Sequence, residues 1–235
     1  MEQILREGFA ELGLAADERA LRRFRRYAEL LEEKNEVMNL TAIRGEEAVA
    51  RLHFLDCAAL LTVEDFGGRR VIDVGTGAGF PGLVLKILRP ELELTLLDSL
   101  DKRVAFLRGT AAELGLEGIT FLHARAEEAP EALRGGFDLA LSRAVARLSL
   151  LSELCLPLVK TGGAMIAMKG PDPREELEEA RKGIRLLGGE PERCVEYRIP
   201  GAGVTHSAVV VRKRADTPKG YPRRWAQMKK KPLGL

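Results

Sequence analysis

The amino-acid sequence predicts an α/β fold: a mostly parallel Rossmann-like sheet with an antiparallel edge strand, preceded by an N-terminal helical cap. Three observations carry this expectation. The apolar strand Val71-Ile72-Asp73-Val74 runs into a glycine turn, Gly75-Thr76-Gly77-Ala78-Gly79, and then into a helix start at Phe80-Pro81-Gly82. Beyond it, short apolar runs alternate with helix-period segments, the order that builds a parallel sheet. Toward the C-terminus, two strand-like runs, Cys194 to Ile199 and His206 to Lys213, flank Pro200-Gly201-Ala202-Gly203 and read as a hairpin with a longer loop, which supplies the antiparallel edge.

Upstream of the first strand, Glu2 to Leu12, Asp17 to Val37 and Glu46 to Leu61 read as helices, with Leu21, Phe24, Ala28 and Leu31 marking one apolar stripe. This block is too short to bury a core alone, so residues 1–64 are expected to pack as an extension on a core spanning 65–215, followed by a basic tail at 216–235. Within the core, Glu93 to Leu97 gives a second strand, and Leu100, Val104, Leu107, Ala111 and Leu114 recur at helical spacing. Ile119 to His123 and Phe137 to Ser142 give the third and fourth strands. Leu148 to Leu158 reads as a helix, Ala164 to Met168 as a fifth strand and Arg174 to Leu187 as another helix.

The glycine turn points to a ligand, because glycines supply φ > 0 and let the backbone approach a bound group closely, while Pro81 suits the first turn of the following helix. A dinucleotide fingerprint spaces its glycines G-x-G-x-x-G, and Phe80 stands where the third is needed for close helix–strand packing. Asp73, two residues before Gly75, adds a negative charge that a pyrophosphate disfavours. S-adenosyl-L-methionine, with its sulfonium and amino group, suits acidic surroundings better. Asp73, Gly75, Gly77 and Phe80 are therefore candidates for holding a methyl donor. Asp98 ends the second strand about 20 residues beyond the turn, where an acid meets a ribose diol. Glu127 follows the third strand and suits an adenine amine, and Arg143 ends the fourth on the substrate side. A strand-end Asp often only caps the next helix, but three acids at successive strand ends favour the cofactor.

Composition agrees with one Rossmann-like domain plus an extension: 235 residues, 46% hydrophobic and 31% charged, suffice for a sizeable core. Cys57, Cys155 and Cys194 form no C-x-x-C pair, so neither a disulfide framework nor a zinc site is indicated, and they read as reduced, packed thiols. The start of the chain lacks an apolar signal region and no run reaches membrane-spanning length, so a cytoplasmic, membrane-free protein is expected.

Some residues are not explained by periodicity. Asn39 and Thr41 read as turn or capping residues and His53 as a packing residue, yet His53 and Asp56 share a helix face and a site role stays open. Arg22, Arg23, Arg25 and Arg26 read as a solvated helix face, with a phosphate-facing patch as the alternative. Net charge is +2, but from Asp216 onward six basic residues stand against one acid, compared with 31 basic and 34 acidic before it: +5 against −3. With Tyr221 and Trp225 available for base stacking, this tail favours nucleic acid over a merely solubilising role, and Pro218 and Pro222 discourage helix there.

Together these tracts resemble the RsmG methyltransferases, also called glucose-inhibited division protein B, over nearly the whole chain. The resemblance rests on Asn39-Leu40-Thr41-Ala42-Ile43-Arg44, His53-Phe54-Leu55-Asp56, the Asp73 to Gly82 segment, Leu97-Asp98-Ser99-Leu100 with Lys102-Arg103, Ser142-Arg143-Ala144, Met168-Lys169-Gly170, Tyr221-Pro222-Arg223-Arg224 and Lys230-Lys231-Pro232-Leu233. Cys57, where the family usually has Ser, and Trp225 to Met228, in place of a Pro-Gly-rich link, depart from it. The resemblance implies methylation of guanine N7 in a loop of 16S rRNA, with the donor held around Gly75, Phe80, Asp98, Ser99, Leu100, Ala126, Glu127 and Arg143. Arg143 and Lys169 are then expected to position the base or its phosphates, Asn39 and His53 to shape the pocket, and Arg223, Arg224, Lys229, Lys230 and Lys231 to bind RNA of the small subunit. A monomer is expected. Guanine N7 has a free lone pair and no proton, so its methylation needs alignment rather than a general base. A methyltransferase with another substrate and a non-catalytic ribosome-binding factor are the rival readings; a dehydrogenase is opposed by Phe80 and Asp73.

Overall fold

A computed structural model describes residues 1–234. Seven strands lie in the order β3-β2-β1-β4-β5-β7-β6: β1 (Arg70–Val74), β2 (Glu93–Asp98), β3 (Ile119–His123), β4 (Phe137–Arg143), β5 (Val159–Lys169), β6 (Gly189–Ile199) and β7 (Val204–Lys213). The first five pair in parallel, with Asp73 of β1 beside Leu96 of β2 and Leu141 of β4. β7 is the reversed strand, antiparallel to β5 on one side and to the outermost β6 on the other. β5 and β6 both extend further toward their N-termini than the apolar pattern suggests. Pro191 and a register shift before Arg193 are accommodated in β6 because it lies at the edge.

Helices cover both faces. α1 (Glu2–Glu11) and α2 (Glu18–Met38) are followed by one helical segment with changing pitch: α3 (Glu46–Val49), a π-helical turn at Ala50–Leu55, α4 (Asp56–Ala58) and a 3-10 turn at Ala59–Thr62. α5 (Gly82–Leu88), α6 (Asp101–Glu113), α7 (Leu148–Cys155) and α8 (Arg174–Leu186) connect the strands, and the short α9 (Trp225–Lys230) lies in the tail, beyond the prolines. Asp17 caps α2 by accepting from the Ala20 N–H at 2.7 Å.

Alternation along the strands divides the core in two. Val71, Leu139, Leu141, Ile166 and Val210 face a cluster that contains Leu21, Phe24, Tyr27 and Phe54 of the N-terminal helices together with Leu83 and Val84 of α5. Their neighbours Ile72, Val74, Ala140, Ala167, Val209 and Val211 face α7, α8 and Met228 of α9. The N-terminal helices thus share a core with the sheet. Among the arginines of α2, Arg23 donates to the carbonyls of Leu114 and Gly115, and Arg25 and Arg26 pair with glutamates. Cys57 and Cys155 are buried, whereas Cys194 is exposed on the edge strand rather than packed. No helix among the described residues is long and apolar enough to cross a membrane.

The first part of the tail is fastened to the core. Arg134 donates to the carbonyls of Thr217, Pro218 and Tyr221, and Arg223 grips the fully buried Glu153 through its backbone N–H and both sides of its guanidinium at 2.6–2.8 Å. Breaking such a pair strands a buried charge, at about 3–5 kcal/mol.

Under the glycine turn, Asp73 is fully buried. One carboxylate oxygen accepts from Thr76 Oγ1 at 2.7 Å and from the Gly82 N–H at 2.8 Å, bracing both ends of the turn, while the other has no partner among the described residues. Burial dominates, raising its pKa to about 6 despite these hydrogen bonds. The folded value lies above the unfolded one, so this group favours folding most below the unfolded pKa, and that contribution is lost as pH rises through 6. An uncharged amide has no such dependence. Denaturant unfolding should therefore show Asp73→Asn gaining stability relative to wild type between pH 4 and pH 7.5, by at most about 3 kcal/mol. A difference independent of pH would mean that the carboxylate is no harder to ionise in the fold than in water.

Candidate active site

The chain leaves β1 toward β2 and β3, then returns to β4 and β5 on the other side, so β1 and β4 flank a topological switch point where ligands enter α/β sheets. Two confluent cavities open there, of about 310 and 700 Å³. Gly75, Arg103 and Ala144 line both.

Asp98, Ser99, Ala126, Glu127 and Val145 line the smaller cavity. At the end of β2, Asp98 accepts from the N–H groups of Gly77 and Leu100, both at 2.9 Å, and from Arg103 at 3.4 Å. It therefore ties the glycine turn to the start of α6 and keeps lone pairs for a further donor. Leu100 donates only this backbone contact and its side chain is exposed; it lines neither cavity. Gly75 and Gly77 have φ of +71° and +62°. A Cβ on Gly75 would fall 2.6 Å from Val145, whereas one on Gly77 would meet only the Gly75 carbonyl, at 4.0 Å, so the turn leaves open space over its backbone. Asp73 does not reach either cavity; its role is the brace beneath the turn, which corrects its expected place among direct donor contacts.

These residues fit an adenosyl sulfonium. The open floor at Gly77, the Asp98 carboxylate for a diol, Glu127 for an amine, and the negative field of Asp98 and Asp73 match its hydroxyls, base and positive charge.

The larger cavity is organised around Arg143 at the end of β4. Its guanidinium donates to Asp56 Oδ2 at 3.2 Å, to the Leu52 carbonyl at 3.2 Å and to His53 Nδ1 at 2.8 Å. An arginine can only donate, so His53 Nδ1 accepts and the ring proton resides on Nε2, which lies 2.8 Å from Thr41 Oγ1. Burial and the adjacent guanidinium lower the His53 pKa to about 3, and the ring is neutral at physiological pH. His53 stacks on Phe80 with centroids 4.2 Å apart, and Arg143 lies 4.9 Å above the same ring. Phe80 also stacks with Tyr27, whose hydroxyl donates to the Ala78 carbonyl at 2.5 Å and so fastens the glycine turn to α2. Asp56 is completed by Tyr197 at 3.0 Å and His206 at 2.9 Å, reaching across from β6 and β7. Its carboxylate raises the pKa of His206, and burial raises that of the Cys57 thiol, which is no nucleophile.

Three side chains expected at the substrate or RNA are engaged within the protein or at a helix end instead. Asn39 is the left-handed cap that ends α2, at φ 50°, and Leu40 and Thr41 line the cavity in its place. Lys169 reaches the cavity wall, but its ammonium is taken by the Ala146 carbonyl and Glu176, both at 2.8 Å, which fixes the loop after Arg143. Arg223 is likewise committed to Glu153, whereas Arg224, Lys229, Lys230 and Lys231 are exposed. Thr41, Tyr197, His206 and Trp225 join the cleft walls or their supports without any local sequence signal beyond residue type.

Residues 20–201 match the family described as rRNA small subunit methyltransferase G, GidB. The chain is 46% identical to ribosomal RNA small subunit methyltransferase G of Alkaliphilus metalliredigens, over 99% of this chain and 98% of that protein. It is also 46% identical to the protein of the same name from Exiguobacterium sibiricum, over 96% of each. Among solved structures, TrmN from Thermus thermophilus superposes with a TM-score of 0.54 at 25% identity, covering 67% of this chain and 48% of that one. With the family matched across most of its length, the chain belongs to the rRNA small subunit methyltransferase G (GidB) family.

Proposed function

We propose that the protein methylates N7 of a guanine in a loop of 16S rRNA, giving 7-methylguanosine, with S-adenosyl-L-methionine as donor. The observation that carries this is the fixed, neutral His53 and the charged Arg143 beside the glycine turn: a cluster built to orient rather than to accept a proton. When bound, S-adenosyl-L-methionine supplies an electrophilic methyl group on a positively charged sulfur. Gly75, Gly77, Asp98, Ser99, Ala126 and Glu127 would hold it, with Asp73 keeping the turn in shape.

Arg143 spends three of its five N–H groups on Leu52, Asp56 and His53, which leaves two uncommitted among the described residues for a base edge or phosphate. Phe80 and His53 keep that guanidinium in one plane. Lys169 acts one step away by holding the loop at Ala146. The exposed Arg224 and Lys229 to Lys231 engage phosphates of the small ribosomal subunit or its RNA. We assign the helical extension to 1–64, the catalytic core to 65–215 and the RNA-binding tail to 216–235, in a cytoplasmic monomer.

Nucleoside mass mapping of 16S rRNA from cells with and without the protein tests the reaction. One 7-methylguanosine should be lost without it, and an unchanged count overturns the assignment. In single-turnover assays Arg143→Lys should fall about 10²–10³-fold, because the planar fork is lost. His53→Asn should slow the reaction without altering its pH profile between 6 and 8.5, since the wild-type ring stays neutral there; a limb that vanishes in this variant would identify His53 as a base. The triple variant K229A/K230A/K231A should bind RNA more weakly and flatten the slope of log K against log salt by about 2. An unchanged slope removes these lysines from the RNA contact.

A further inference from the structure

The tail carries the chain's single tryptophan, and it is not turned outward with the lysines. Trp225 is half-buried at the start of α9 and lines the smaller cavity together with Asp98, Ala126, Glu127 and Val145. The surrounding contacts fix it there. Two residues before it, Arg223 is locked onto the buried Glu153 of α7; three residues after it, Met228 is wholly buried in the core beneath. The indole therefore stands as a wall over the end of the cleft that holds the ribose- and amine-directed carboxylates, and the segment presenting it is pinned on both sides.

We infer that Trp225 is a donor-binding residue: its ring forms the wall against which the purine of S-adenosyl-L-methionine packs, so that the basic tail is part of the donor site as well as a path to RNA. This rests on the donor reading above. An indole offers a wide apolar face to a purine, and such base–aromatic contacts are sequence-tolerant and strong enough to weigh in a binding constant. Arg223 and Glu153 act as positioning residues, because they set where the indole stands without lining the cavity themselves.

Because the chain has one tryptophan, its emission reports on this position alone. Titrating the full-length protein with S-adenosylhomocysteine should quench or shift that emission with the same Kd that calorimetry gives. Trp225→Ala should weaken that Kd on the order of tenfold, and Trp225→Phe, which keeps a ring, by about threefold or less. Circular dichroism of both variants verifies the fold. Wild-type binding with silent emission and an unchanged Kd in Trp225→Ala would overturn the inference while leaving the donor reading intact. Quenching by single-stranded RNA but not by S-adenosylhomocysteine would also overturn it and assign the indole to RNA. No binding to the wild type would overturn the donor reading and this inference with it.

Discussion

Burying the Arg143 guanidinium sets the terms for everything around it. A charge removed from water needs a counter-charge and a hydrogen-bond acceptor for its donors. Asp56 supplies the first through Oδ2, and its other oxygen, Oδ1, is held by Tyr197 and His206 from the hairpin. His53 supplies an acceptor, which forces its neutral tautomer, and Thr41 completes the ring's other nitrogen. The guanidinium also covers Phe80, whose ring links the glycine turn to α2. Helical extension, central strand and reversed hairpin thus meet around one cation, and the cleft has its shape because that cation is satisfied in one way.

Much of the architecture was legible because strands and helices leave different periods in a sequence. The alternation of Val71 with Ile72, and of Val209 with Val210, divides the two faces of the sheet as the structure does. The start of β6 was not legible, since Glu190-Pro191-Glu192-Arg193 is polar and carries a proline, both tolerated only because the strand is at the edge. In the site, Asp98 and Glu127 stood out as acids at strand ends. Asp73 stood out for the same reason, yet lies beneath the turn; sequence shows that an acid is near, not whether it faces ligand or backbone. The contacts of Asp56 with Tyr197 and His206 span 141 and 150 residues, and no local pattern reports pairs so distant. Asn39 caps α2 as its residue type suggests, and it drew a pocket role from the resemblance as well because the residue types that cap helices also line pockets.

The basic residues of the tail differ in their surroundings. A count of basic residues cannot separate Arg223, whose charge is spent on Glu153, from the lysines that remain in solvent. The difference is electrostatic. A cation neutralised by a buried carboxylate adds little to the field that attracts phosphates, whereas it anchors the segment that displays the others. Met228, wholly buried, adds a second anchor to the same segment.

The protonation states in the cleft bear on which atom of a nucleobase it serves. His53 is neutral with both ring nitrogens engaged, Arg143 is charged, and burial holds the thiol of Cys57 and the phenol of Tyr197 protonated. Asp56 accepts three side-chain donors, and the partly ionisable Asp73 is sealed below the turn. His206 is raised by Asp56 and shares its hydrogen bond, which suits a held cation better than a base. Methylating an exocyclic amine releases a proton that some group must take, and attack at cytosine C5 needs a thiolate. A ring nitrogen with a free lone pair asks for neither. With His53 neutral and hydrogen-bonded at both nitrogens and the Cys57 thiol held protonated, the cleft suits a ring nitrogen such as guanine N7, where the remaining requirement is to hold the base in line with the methyl group.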